Sequence, residues 1–203
     1  MPTQGKFIEL KILEENTSIN FVNTLDWRGR ETQEEYINTY TDLVDWASLT
    51  EIINQEESEI LKEKAKIDPV KASESLKRAI KLREAAYRTL VQIFFEEKPD
   101  TEDMELLNIE MQSMFDYLKL DLYERQLTLN NDIDLSYILR LVVKDLVELM
   151  TSEELKRVKR CQSEECGWLF IDSSKNMSRK WCQMKGCGNR AKARRHYERS
   201  KQR

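Results

Sequence analysis

The stretch CQSEECGWLFIDSSKNMSRKWCQMKGCGNRAK, residues 161–192, holds all four cysteines of the 203-residue chain. They fall in two pairs, Cys161-x4-Cys166 and Cys182-x4-Cys187, separated by fifteen residues. Each short pair can turn both sulfurs towards one ion, and two such pairs supply the tetrahedral four-thiolate set of a zinc site. Two disulfides are the competing reading. The start MPTQGKFIELKILEEN is charged from Lys6 to Glu15 and has no signal-peptide core, which points to a reducing, cytoplasmic setting and against them. Lys159, Arg160 and Lys185 stand close by in sequence and favour ionised sulfur. One Zn2+ per chain is expected, held by Cys161, Cys166, Cys182 and Cys187. Four protein ligands leave no open position for water, so the ion is structural rather than catalytic.

Outward from the cysteines, Gly167–Asp172 is a strand candidate, Ser173–Met177 a polar loop, and Ser178–Cys182 a returning strand that would close a hairpin. Trp168, Phe170 and Trp181 suit packing round the metal; base stacking is the alternative. Asp172 can pair with Arg179 or cap the turn. After Cys187 the run GNRAKARRHYERSKQR is helix-forming. On a helix Asn189, Ala193, His196, Tyr197 and Ser200 share one neutral arc, expected to pack on the hairpin. Basic ridges then remain exposed and can straddle a phosphate backbone. Candidate nucleic-acid contacts are Arg179, Lys180, Arg190, Lys192, Arg194, Arg195 and Arg199.

Charge divides the chain at the same place. Residues 151–203 carry 15 Lys+Arg against 6 Asp+Glu, whereas residues 1–150 carry 18 against 31. Two modules follow, 1–150 and 151–203, the second facing a polyanion. With only 5 Gly and 3 Pro in the whole chain, tight turns are few, which disfavours a many-stranded barrel or sandwich. The first module reads as helices. A short one follows Asn16 or Thr17 and ends at Gly29; another starts from a capping box at Thr32 and Glu35. Asp68-Pro69 opens a long helix to Glu97, and Pro99-Asp100 opens a further one. Between Leu118 and Leu129 the apolar period shortens towards two, which fits a small hairpin. Asp134 opens a last helix to Met150. No run approaches the ~18 apolar residues of a membrane span.

Chemistry is sparse in this module. Its 150 residues contain no histidine, and the chain has no glycine-rich phosphate loop and no nucleophile elbow, so no enzyme activity is expected. Neighbouring carboxylates such as Glu34-Glu35 read as solvated surface. Asn23, Thr24 and Arg28 gather polar and cationic groups beside Trp27 and Gly29, making them candidates for contacting a small-molecule effector. The Met104–Leu118 face is either core or the interface of a homodimer.

The pattern Cys161-x4-Cys166-x3-Phe170-x-Asp172-x-Ser174-x4-Arg179-x-Trp181-Cys182-x4-Cys187-Gly188-Asn189-Arg190-x-Lys192 resembles the CGNR zinc finger of bacterial proteins. The segments Ile19–Thr24, Asp42–Trp46 and Leu82–Ala85 resemble the ABATE domain, a stress-induced transcription regulator usually joined to that finger. The resemblance implies a bacterial DNA-binding regulator. The expected fold is a mainly α amino-terminal domain, with or without one small β-hairpin, followed by a small zinc-stapled α+β domain in the manner of treble-clef fingers. Duplex DNA is the expected partner. An RNA-binding protein and a zinc-stapled protein-interaction module are the alternatives.

Overall fold

The computed structural model describes residues 16–130 and 132–201, so the charged start discussed above lies outside the described residues. Helix α1 (Thr17–Val22) is capped by Asn16, whose side chain accepts from the Ile19 N–H at 3.0 Å. It ends at Asn23, well before Gly29, because the chain turns into a two-residue strand. This strand, β1 (Leu25–Asp26), pairs antiparallel with β2 (Glu34–Glu35), Leu25 opposite Glu35. The capping box expected at Thr32 and Glu35 is therefore displaced. Glu35 is drawn inward to Arg83 at 2.6 and 2.7 Å, and the box forms instead at Thr39 and Asp42, starting α2 (Tyr40–Leu49).

Asn54 and Glu57 form a second box ahead of α3 (Gln55–Ile67). Asp68 accepts from the Lys71 N–H at 2.9 Å, and Pro69 occupies the first position of the long α4 (Pro69–Phe94), as the Asp-Pro pair predicts. Ala72, Ala79, Leu82, Ala86 and Leu90 line its buried face, where small side chains let α1, α2, α3 and α5 (Thr101–Phe115) approach closely. The expected hairpin is present: β3 (Leu118–Asp121) pairs with β4 (Gln126–Leu129) with Leu118 opposite Leu129. On α5 only part of the expected apolar side is core. Leu107 and Met114 are buried, whereas Met104 and Phe115 are exposed. Helix α6 (Tyr137–Thr151) closes the bundle, carrying Ile138, Val142, Leu146 and Leu149 into the centre.

A 3-10 turn, Glu153–Arg157, leads into β5 (Val158–Arg160), which pairs antiparallel with β6 (Leu169–Ile171), Lys159 opposite Phe170. The strand at Gly167–Asp172 is thus found, but its expected partner is not. Residues 178–182 form no strand; the partner lies upstream of the cysteines. A π-helical turn at Met184–Gly188 then runs into α7 (Asn189–Lys201). One hydrophobic core joins both parts: Phe21, Trp46 and Leu146 belong to the same buried cluster as Trp168, Leu169, Phe170 and the four cysteines. No described helix is long and apolar enough to cross a membrane.

Candidate metal centre and its basic surface

The Cys161 N–H donates to the Trp168 carbonyl at 2.8 Å, continuing the β5–β6 ladder into the loop that carries the first cysteine pair. Gly167, with φ +73°, makes the turn back into β6. The second pair stands just before and within the π-helical turn that seeds α7. All four side chains are buried, and their sulfurs lie within 4.8 Å of one another. Cys166 Sγ is 3.6 Å from Cys182 Sγ, and Cys182 Sγ is 3.7 Å from Cys187 Sγ. These separations are far too long for a disulfide bond of ~2.05 Å. They match the ~3.8 Å edge of a tetrahedron with metal–sulfur bonds of ~2.3 Å. The donor set is one a thiophilic divalent ion fits. Left to themselves the sulfurs compete: hydrogen bonds from Cys166, Cys182 and Cys187 pull the Cys161 thiol down, while Cys161 pushes Cys166 and Cys182 up. A bound cation removes that competition by stabilising every thiolate at once.

Asp172 organises the loop between the pairs. Its carboxylate accepts from Lys159 Nζ at 2.7 Å, Ser174 N–H at 3.0 Å, Ser174 Oγ at 2.6 Å and the Arg179 N–H at 2.9 Å. The side chain is wholly buried; although burial pushes its pKa up, these donors hold it well below the usual carboxylate range. Of the two roles the sequence suggested, capping the turn is the one found: the carboxylate takes the Ser174 and Arg179 backbone N–H groups, and its ion pair is with Lys159 rather than the Arg179 guanidinium. The Arg179 guanidinium lies over the Phe170 ring at 4.4 Å and donates to the carbonyls of Trp181 (3.0 Å), Ile171 and Cys182. It is spent inside the fold rather than offered to a partner.

Arg190 is also partly engaged. It donates to Cys187 Sγ at 3.0 Å, adding a charge-assisted bond to a candidate ligand, and lies 4.9 Å from the Trp27 ring. Beyond it α7 leaves the body. Lys192, Ala193, Arg194, His196, Tyr197, Arg199, Ser200 and Lys201 are all exposed. The neutral arc therefore does not pack on a hairpin, because the return strand that would have received it does not form. Arg194 reaches Glu164 at 3.3 Å and Glu198 at 3.9 Å. The side chain of Arg195 lies outside the described residues. Lys180 is exposed and shares with Trp181, Gln162, Glu165, Arg190 and Arg194 the walls of a groove of about 530 Å³. Of the three aromatics weighed for base stacking, Trp168 and Phe170 are buried and Trp181 is half-buried.

Of the three residues expected to meet an effector, Asn23 and Arg28 fasten the two parts together, and Thr24 is bonded within the helical part. The Asn23 carboxamide bonds both backbone groups of Leu169. Thr24 Oγ1 donates to the Phe21 carbonyl at 2.7 Å and accepts from Arg83 at 3.1 Å. Arg28 pairs with Glu84 at 2.8 Å, donates to the Val22 carbonyl and lies 3.7 Å from the Tyr87 ring. All three are buried or nearly so, and their polar groups are engaged with other residues of the chain. Sequence reasoning missed the residue at the centre of this network. Arg83, 1% exposed, ties Glu35 and Glu84, and Glu84 is held below its ordinary range by Arg28 and Arg83 despite its burial. Its place on the apolar line of α4, between Ile80 and Tyr87, was the available signal. Glu35 is accordingly no solvated surface carboxylate.

From Arg28 the chain passes directly to the metal loop. The Arg28 N–H donates to the Cys166 carbonyl at 3.1 Å, and the Gly29 N–H to the Glu165 carbonyl at 3.2 Å. A Cβ on Gly29 would stand 1.6 Å from the Glu164 carbonyl oxygen, so nothing larger than glycine fits this approach. Tyr87 completes the fastening by donating to the Gly167 carbonyl at 2.7 Å.

Residues 157–200 match the family model described as the CGNR zinc finger, and residues 15–153 match ABATE, described as "Putative stress-induced transcription regulator". No curated protein matches the chain. With the regulator model covering well over half of its length, and the finger model covering the metal loops and α7, the chain belongs to the ABATE family and ends in a CGNR zinc finger.

Proposed function

We propose that this chain is a bacterial, cytoplasmic regulator that binds duplex DNA through α7 and the adjoining metal loops, stapled by one structural Zn2+. The observation that carries this reading is the exposure of α7. A helix seeded at a four-cysteine centre projects Lys192, Arg194 and Arg199 into solvent, with its neutral residues exposed as well. An uncovered helix of that charge is suited to neutralising phosphates, and its anchored start fixes its direction. Lys192, Arg194, Arg195 and Arg199 supply the phosphate contacts, with Lys180 reaching the same partner from the loop. Arg179 is left out because its guanidinium is bonded internally.

The helical part mediates assembly. A single finger-sized module buries only ~600–1,000 Å² on DNA, little for a specific regulator, so two copies on two half-sites are proposed. Exposed Ile109 and Phe115 on α5, with Leu120, Leu122 and Tyr123 on the β3–β4 arm, provide apolar surface for a homodimer.

Binding of the zinc-loaded chain to duplex DNA, single-stranded DNA and RNA at one fixed salt concentration tests the reading. Tighter binding to duplex supports it, and selection from random duplex fragments would then give the operator. Absence of binding to any of these at ~50 mM salt, where phosphate contacts are strong, would make the finger a protein-interaction module instead.

A further inference from the structure

The geometry points to a composite phosphate cradle: Arg30, from the helical part, and Arg194, from α7, together receive a backbone phosphate of duplex DNA at the position now held by the Glu165 and Glu164 carboxylates. The inference rests on the DNA-binding reading and extends its surface onto the helical part, where neither the charge pattern nor the finger motif placed a contact.

Arg30 Nη2 and Nε donate to Glu165 Oε2 at 2.6 and 3.0 Å, and Arg194 Nη1 approaches Glu164 Oε2 at 3.3 Å. Both carboxylates sit on the loop between Cys161 and Cys166, so two arginines from opposite ends of the chain converge on adjacent anions. Arg190 stands with Arg30 at the Trp27 ring and lines one groove with Glu165 and Arg194. Glu164 lines the same 530 Å³ groove, together with Lys180 and Trp181.

Arg30 is oriented in advance. Arg30 lies 3.4 Å from the Trp27 ring and Arg190 4.9 Å from the same ring, so one indole orients both guanidiniums. Trp27 adopts φ 55°, a left-handed conformation that a bulky residue rarely takes. The strain is held by the Arg28 and Gly29 contacts to the metal loop and by the Arg30 N–H bond to the Trp27 carbonyl at 2.8 Å.

The carboxylates are suited to displacement. Arg30 and Glu165 are 42% and 49% exposed, and Arg194 and Glu164 are 66% and 84% exposed; ion pairs of this kind are weak and salt-screened. A phosphodiester oxygen can accept from a guanidinium as Glu165 Oε2 does here, and phosphate binding gains the release of condensed counterions, which a carboxylate on the same chain does not provide.

The test is fluorescence anisotropy of the full-length, zinc-loaded chain on a labelled mixed-sequence duplex between ~50 and ~200 mM salt. Arg30→Ala should weaken binding roughly 3-fold to 10-fold and flatten the log–log salt slope by about 0.9, the loss of one phosphate contact. Arg30→Lys should keep the slope. The paired change Glu164→Gln and Glu165→Gln should tighten binding roughly 3-fold to 10-fold by removing repulsion of the phosphate. Wild-type affinity and slope in Arg30→Ala, or weaker binding by the glutamine pair, would overturn the cradle. Should Arg30→Ala lose zinc or thermal stability, the glutamine pair decides alone. Two failures remain distinguishable: if wild type binds no duplex, the DNA reading falls and the cradle with it. If wild type binds, Arg194→Ala weakens it and Arg30→Ala does not, only the cradle falls.

Discussion

Asn23 and Leu169 stand 146 positions apart in sequence, yet they exchange two hydrogen bonds in the core. The Asn23 carboxamide donates to the Leu169 carbonyl at 2.9 Å and accepts from the Leu169 N–H at 2.9 Å. One side-chain amide thereby takes the place of a neighbouring strand along the edge of β6 that β5 leaves open. Asn23→Ala would leave a buried N–H and a buried carbonyl without partners, at roughly 1–3 kcal/mol each. Urea unfolding should show a loss of about 2–6 kcal/mol, more than an average point change produces. A wild-type midpoint would mean that water replaces the amide.

That contact, with Tyr87–Gly167 and Arg28–Cys166, makes the metal loops part of the main core. Purified protein should contain one zinc per chain by elemental analysis. Stripping it with a strong chelator should lower the urea midpoint followed by far-UV circular dichroism, which reports mainly α1–α6. Tryptophan fluorescence should move with it, since Trp27, Trp168 and Trp181 all lie at or near the metal loops. Loss of the fluorescence transition with an unchanged helical midpoint would show that the two parts unfold independently.

What the sequence made legible was local. The paired spacing of the cysteines, the Asp68-Pro69 helix start and the shortened apolar period at Leu118–Leu129 each carry their meaning within a few residues, and all three appear in the fold. The misplaced features depend on partners far away. Gly167–Asp172 reads as a strand in isolation, but its pattern cannot say whether Val158–Arg160 or Ser178–Cys182 lies beside it. That choice also removed the surface expected to cover Ala193 and Tyr197. Asn23, Thr24 and Arg28 read as polar groups in search of a ligand. Their partners, Leu169, Arg83 and Glu84, are brought to them only by the packed bundle. Thr32 and Glu35 had the spacing of a capping box, but the buried Arg83 guanidinium competes for the same carboxylate and wins.

Arg190 holds the metal centre from outside. Its N–H on Cys187 Sγ stabilises the thiolate, so Arg190→Ala should weaken zinc binding by roughly tenfold or more, as loss of such supporting bonds does. Competition with a chromogenic chelator measures this directly. Arg190→Lys should recover part of the loss through charge alone, without the planar contact to Trp27. Unchanged zinc affinity in Arg190→Ala would free this residue for a role in base recognition.

Asp172→Asn removes a fully buried anion from its donors and leaves Lys159 without its ion-pair partner; a destabilisation of about 3 kcal/mol at neutral pH is expected. The acid dependence has a definite sign. Because the folded carboxyl titrates below its unfolded value near ~3.9, its contribution is complete above that pH and disappears as the pH falls towards the folded value. The gap between wild type and Asp172→Asn should accordingly be constant from neutral pH down to about pH 4 and narrow below it. Taking the difference at each pH cancels most of the metal loss that both proteins share. A gap that widens in acid would show that Asp172 is protonated in the fold.

The last prediction separates cations that hold the fold from cations that meet DNA. About six phosphate contacts would give a log–log salt slope near −5 for duplex binding. Lys192→Ala, Arg194→Ala and Arg199→Ala remove exposed charges from α7. Each should weaken binding to all duplexes alike and flatten the slope by about 1, with melting temperature and zinc content unchanged. Arg179→Ala should behave in the opposite way. Its guanidinium bonds the carbonyls of Trp181, Ile171 and Cys182 over the Phe170 ring, so its loss should lower stability and loosen zinc. The slope of whatever folded protein remains should stay as in wild type, because no phosphate contact has been removed. A flattened slope in Arg179→Ala with normal stability would mean that the side chain swings out to DNA on binding. An unchanged slope in all three α7 variants would place the phosphate contacts elsewhere on the chain.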